Sequence, residues 1–201
     1  MTDAAERSFD VPATVNAYLT DPAMRAAVDA LLEARPGSLP AGLRLNELAD
    51  YLAARAAAEL TKYDWAIAMH ALWDATWGAG LGPAWRPATI DEALDEEFAI
   101  TPESCWNEGS FAFRHVRGLH TFFSAVAFDQ SQTQLAFSVE TADEALATEG
   151  GGGFVWMEDE DWTGWLVTTI PRSPAHPDFA IADLTPRIAS ALALAEEIVS
   201  T

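Results

Sequence analysis

Thirty residues in the middle of the chain, Ser110–Val139, read SFAFRHVRGLHTFFSAVAFDQSQTQLAFSV and constrain the fold more than any other stretch. Phe and Val recur in pieces too short for most helices. Two turn candidates separate those pieces, Arg117-Gly118 and Asp129 to Gln132. Short runs of aromatic and β-branched residues between turn signals predict a three-strand antiparallel meander.

A two-residue loop at Arg117-Gly118 would set Val116 opposite Leu119, His115 opposite His120 and Phe113 opposite Phe122. A second turn centred on Gln130 and Ser131 would set Phe128 opposite Thr133, Val126 opposite Leu135 and Phe122 opposite Val139. Side chains alternate along a strand. One face then carries Phe111, Phe113, His115, His120, Phe122, Val126, Phe128, Leu135, Phe137 and Val139, and needs a cover. The other face, with Arg114, Thr121, Phe123, Gln134, Ser138 and several Ala, is lighter.

The flanking elements follow from caps and periodicity. Asp21-Pro22 opens a helix with Asp21 as its cap and Pro22 in its first turn. Leu43 to Trp77 is the longest helical region. Leu45, Leu48, Leu52 and Ala56 form one apolar stripe, continued by Leu60. Trp65, Met69, Leu72 and Trp73 form another. A break near Thr61–Asp64 is expected from its length, and glycines at 78, 80 and 82 with Pro83 end it. Capping-box patterns at Thr89/Glu92 and Thr141/Glu144 predict two short helices. Phe154 to Met157 begins a fourth strand and Trp162 to Ile170 makes a fifth. Thr185-Pro186 starts a terminal helix, with Ile188, Leu192, Ala195 and Val199 at helical spacing, suited to cover the sheet. The expected fold is α+β: a helical region over 1–100, then an antiparallel sheet of about five strands over 101–201 with a C-terminal helix packed on it. The two regions are expected to share one core as a single domain.

Charge narrows the function. The 201 residues hold 31 Asp and Glu against 11 Lys and Arg, a net charge of -20. Residues 91–171 alone hold 16 of the acids and two of the basic residues, with no Lys or Arg from Gly118 to Pro171. Nucleic-acid binding needs a basic patch, and an anionic membrane surface would repel this chain, so neither is expected. A basic protein partner fits better; genome composition or a saline habitat would also produce such acidity. The single cysteine, Cys105, excludes an internal disulfide and a thiolate metal cluster. The opening MTDAAERSFD lacks the apolar region of a secretory signal, and no run is long enough for a membrane span, so the cytoplasm is the expected compartment.

Two classes of function stay open. The first is a non-catalytic acidic interaction module, such as an inhibitor, immunity-type or regulatory protein. Its binding surface would lie in Gly150–Trp165, where Glu158, Asp159, Glu160 and Asp161 supply dense negative charge and Trp162 and Trp165 supply contact area. The alternative is a small hydrolase or other enzyme whose dispersed residues converge only in the fold. Its candidates are His70 with Asp74, four apart on one helix so that the carboxylate could orient the imidazole, together with His115 and Glu108. A cross-strand His115/His120 pair could also share a metal, but two ligands are too few, and no metal or other cofactor is expected. No GxSxG, HExxH, CxxC or calcium-loop pattern occurs.

Overall fold

The computed structural model describes residues 8–9, 11–35, 38–87, 105–107, 109–118, 120–128, 133–140, 155–159, 162–170, 179–180 and 184–199. Helices, an antiparallel sheet and a C-terminal helix make it an α+β fold. Three helices come first: α1 (Ala13–Thr20), α2 (Pro22–Glu33) and α3 (Leu45–Trp73). The Asp21 side chain accepts from the N–H groups of Ala23 and Met24, and Pro22 stands in the first turn of α2. The cap expected from the sequence is therefore in place. The helices predicted from Thr89 and Thr141 lie outside the described residues.

Helix α3 runs unbroken through Thr61–Asp64, which corrects the expected break. Three contacts explain its continuity. Thr61 Oγ1 donates to the Ala57 carbonyl one turn back, 3.1 Å away, so its hydroxyl is satisfied within the helix. The Lys62 ammonium reaches Glu59 at 3.4 Å while its stem is buried. Asp64 accepts a hydrogen bond from Thr14 of α1. The irregularity comes later, as a π-helical turn at Asp74–Gly78.

The strands are β1 (Ser8–Phe9), β2 (Arg86–Pro87), β3 (Ser110–Arg117), β4 (His120–Phe128), β5 (Thr133–Glu140), β6 (Val155–Asp159), β7 (Trp162–Ile170) and β8 (Phe179–Ala180). β1 pairs with β8, and the others form one sheet in the order β2-β3-β4-β5-β7-β6. The β4–β5 register is the one the sequence predicts, with Phe128 opposite Thr133, Val126 opposite Leu135 and Phe122 opposite Val139. The β3–β4 register is two residues away from the predicted one: Arg117 faces His120, His115 faces Phe122 and Phe113 faces Ser124. Gly118 explains the shift. It adopts φ +64° immediately after the last paired residue, a left-handed conformation that glycine takes without steric cost. The chain therefore turns after Arg117 rather than at it. A two-residue shift keeps the same face pointing inward, because strand alternation has period two.

The last helix is α4 (Leu184–Val199). The buried cluster joins Trp65, Met69, Leu72, Trp73 and Trp77 of α3 and its π turn to Phe111, Phe122 and Val126 of the sheet and to Leu184, Ile188, Ala191, Leu192 and Ala195 of α4. α4 meets the chain after the π turn closely. A Cβ on Gly80 would fall 2.9 Å from Ile188 Cγ2, so glycine is needed for this approach. A bidentate pair, Arg117 Nε and Nη2 to the Glu196 carboxylate at 3.0 and 2.9 Å, ties β3 to α4. The sheet face thus takes much of its cover from the second half of α3, with α4 alongside.

The two apolar stripes of α3 part company. The second, Trp65–Trp73, is buried as expected. The first is more open: Leu45, Leu52 and Leu60 are exposed, as are Tyr63 and Ile67 farther along, while Leu48 is half-buried.

Candidate functional site

The densest polar cluster in the described interior sits where α3 crosses β3 and β4. The π turn follows Trp73 directly and contains Trp77; such turns recur at functional sites. Both indoles reach β4. Trp73 Nε1 donates to Ser124, with its carbonyl O at 3.1 Å and Oγ at 3.0 Å, and Trp77 Nε1 donates to the Ala125 carbonyl at 2.9 Å. His115 Nε2 lies 3.1 Å from the same Ser124 Oγ. The His115 ring stacks on Trp73, with centroids 5.7 Å apart and planes 9° from parallel.

An indole N–H only donates, so Ser124 Oγ accepts from Trp73. A serine hydroxyl has one hydrogen and two lone pairs, so toward His115 Nε2 it donates to one imidazole tautomer and accepts from the other. His115 Nδ1 is buried and has no partner among the described residues. Burial also disfavours the imidazolium and lowers the His115 pKa to about 4. The ring is therefore neutral at physiological pH.

A serine hydroxyl within hydrogen-bond reach of an imidazole is the arrangement of a nucleophile and its base. Here Ser124 is fully enclosed beneath the two tryptophans, on the third strand in from the β2 edge of the sheet. A substrate carbonyl has no approach to its Oγ. The cluster locks α3 onto the sheet and fixes the side chains of the contact. Ser124 was not singled out from the sequence, although a hydroxyl between Phe122 and Val126 on an apolar face was the available signal.

The other predicted catalytic residues do not converge on it. His70 Nε2 and Asp74 Oδ2 are 3.7 Å apart, and both side chains are more than half exposed. The His70 ring leans on Phe111 and Phe113, at centroid distances of 5.0 and 6.1 Å. Phe113 in turn stands 6.3 Å from His115. The two histidines thus flank Phe113 without sharing a hydrogen bond. Glu108 lies outside the described residues. Cys105 is buried, and desolvation pushes its thiol pKa up, which disfavours the nucleophilic thiolate. The expected His115/His120 opposition is corrected by the register, which gives His115 to Phe122 and His120 to Arg117. Among the described residues no group of three His, Cys, Asp or Glu is placed to hold a metal ion, and no helix is long and apolar enough to cross a membrane.

The acidic segment falls at the opposite end of the sheet. Among the described residues β6 is an edge strand, paired with β7 alone. Met157 faces Trp165 and Asp159 faces Trp162, with a register shift between Met157 and Asp159 that leaves Glu158 at a bulge. Glu160 and Asp161 connect the two strands and lie outside the described residues. A bulge and acidic residues on an edge strand discourage indiscriminate pairing with other strands. Searches against protein families, curated proteins and solved structures return no match for this chain.

Proposed function

We propose that the protein is a non-catalytic acidic interaction module, an inhibitor, immunity-type or regulatory protein, that binds a basic protein partner in the cytoplasm through the β6–β7 hairpin. The observation that carries this reading is the position of the acids. Glu158 and Asp159 stand on an edge strand, Glu160 and Asp161 follow in the connection, and no Lys or Arg occurs from Gly118 to Pro171 to offset them. Trp162, opposite Asp159, and Trp165, opposite Met157, are the aromatic anchors of such a surface. His115 is enclosed and His70 forms an exposed pair with Asp74, which supports the same choice.

The test is capture of partners by immobilised protein at low and high salt. The comparison variant carries Glu158→Gln, Asp159→Asn, Glu160→Gln and Asp161→Asn together. Wild type is expected to retain basic proteins that salt elutes, and the variant to lose them while keeping its circular dichroism. Equal recovery by both proteins with equal salt dependence would reduce the acidic run to a solvated turn.

A further inference from the structure

The joint between α3 and the sheet encloses a titratable ring with no opposite charge to meet it. His115 is 4% exposed. Its face lies on Trp73 and its Nε2 on Ser124 Oγ, while Nδ1 has no partner among the described residues. The charged groups on the surrounding elements are engaged with one another. On the same strand Arg117 is bound to Glu196 of α4. On α3, Asp74 stands beside His70, and both are more than half exposed. On β2, Pro87 is opposite His115 and Arg86 opposite Val116. On β4, Phe122 is opposite His115 and His120 opposite Arg117.

We propose that His115 is an acid-sensitive latch: its protonation releases the turn Asp74–Gly78, with the Trp73 and Trp77 indoles, from β4, while the strand ladders and the first half of α3 stay in place. An imidazolium carries a hydrogen on each ring nitrogen. Ser124 Oγ can take the one on Nε2 beside that of Trp73, but the one on Nδ1 meets no described acceptor. A full charge then stands in an apolar enclosure at the point where Trp73 holds β4. Opening the joint returns the ring to water, where it binds a proton more readily, so falling pH favours the open form. Burial supports this direction, since it already lowers the His115 pKa from 6.5 to about 4.

The neighbouring elements confine the release. The turn is π-helical and leads into glycines at 78, 80 and 82. The β3–β4 and β4–β5 ladders are backbone pairings that the His115 side chain does not make. The earlier part of α3 has its own anchors: Asp64 accepts from Thr14 of α1, and Arg55 Nη2 donates to the Ala34 carbonyl at the end of α2, 2.9 Å away. The latch involves none of the acids of the β6–β7 hairpin, so it stands or falls apart from the binding proposal.

Hydrogen exchange at pH 7 and pH 5, corrected for the intrinsic pH dependence of amide exchange, tests the latch. With the ring near 4 when enclosed and 6.5 when open, opening at the turn should become about twentyfold more frequent at pH 5. Amides of Asp74–Gly78 should lose protection by that factor, and those of α2 should change little. His115→Phe keeps a ring against Trp73 without a titrating proton, and should remove the pH dependence at the turn. Should that variant fail to fold, proton NMR of the wild-type imidazole decides, because the latch requires His115 to titrate well below 6.5 in the folded protein. Equal pH dependence in wild type and His115→Phe, a loss of protection shared evenly by α2, or a His115 resonance titrating near 6.5 would overturn the proposal.

Discussion

The two halves of α3 have similar apolar content and opposite fates. From Trp65 to Trp77 the chain buries four indole or thioether side chains in the core, two of which donate hydrogen bonds to β4. From Leu45 to Leu60 it presents leucines and alanines mainly to water. The difference lies in what the side chains can anchor. An indole combines a large apolar body with one donor, so it buries area and satisfies a strand carbonyl together. A leucine contributes area alone and is indifferent to what covers it. Periodicity therefore shows which face of a helix is apolar, while polar tips decide which apolar face closes onto this particular sheet.

The contrast is sharpest in stability. Trp77→Ala removes a fully buried indole and is expected to cost about 3–5 kcal/mol, whereas Leu60→Ala, at an exposed position, should stay within about 0.5 kcal/mol. Urea unfolding of both variants checks this, and equal costs would dissolve the distinction between the halves.

Acid should unlock only the buried half. His115 has a folded pKa near 4, below its unfolded value of 6.5. Its contribution is thus fully present above about pH 6.5 and is lost as pH falls through the window down to 4. The loss amounts to about 3 kcal/mol at most. Thermal unfolding followed between pH 7 and 5, above the range where most carboxylates titrate, should show the decline, and His115→Leu should flatten it.

Ser124→Ala strikes the same junction more gently. It removes the hydroxyl that accepts from Trp73 Nε1 and bonds His115 Nε2, while the Ser124 carbonyl remains for the indole. A cost of about 1–3 kcal/mol is expected, read by chemical denaturation, with a red shift in tryptophan emission if Trp73 loosens. A neutral result would mean that the His115–Ser124–Trp73 contacts add nothing beyond packing.

Where local chemistry decides structure, the sequence was legible. Asp21-Pro22 specified a cap, and Phe128 through Thr133 specified a register, because each is set by a few adjacent residues. The β3–β4 register escaped by two residues because it hinged on which residue next to Gly118 leaves the ladder, a matter of one dihedral angle. The expected break in α3 failed because Thr61 and Lys62 find partners one turn back or nearby, and helix length alone carries no such information. The candidate site was legible only in part. His115 stood out as an ionisable residue on an apolar strand face, yet Ser124 gains its meaning from Trp73, 51 positions away. His70 and Asp74 do form the i, i+4 pair their spacing implies, but no reading of spacing could place Phe113 between His70 and His115.

Hydrogen exchange along α3 tests the division of this helix most directly. Amides from Trp65 to Trp73 should show high protection, because the sheet packs against that part of the helix. Amides from Leu45 to Leu60, whose leucines are largely exposed, should exchange faster. Uniform protection along the whole helix would contradict the account.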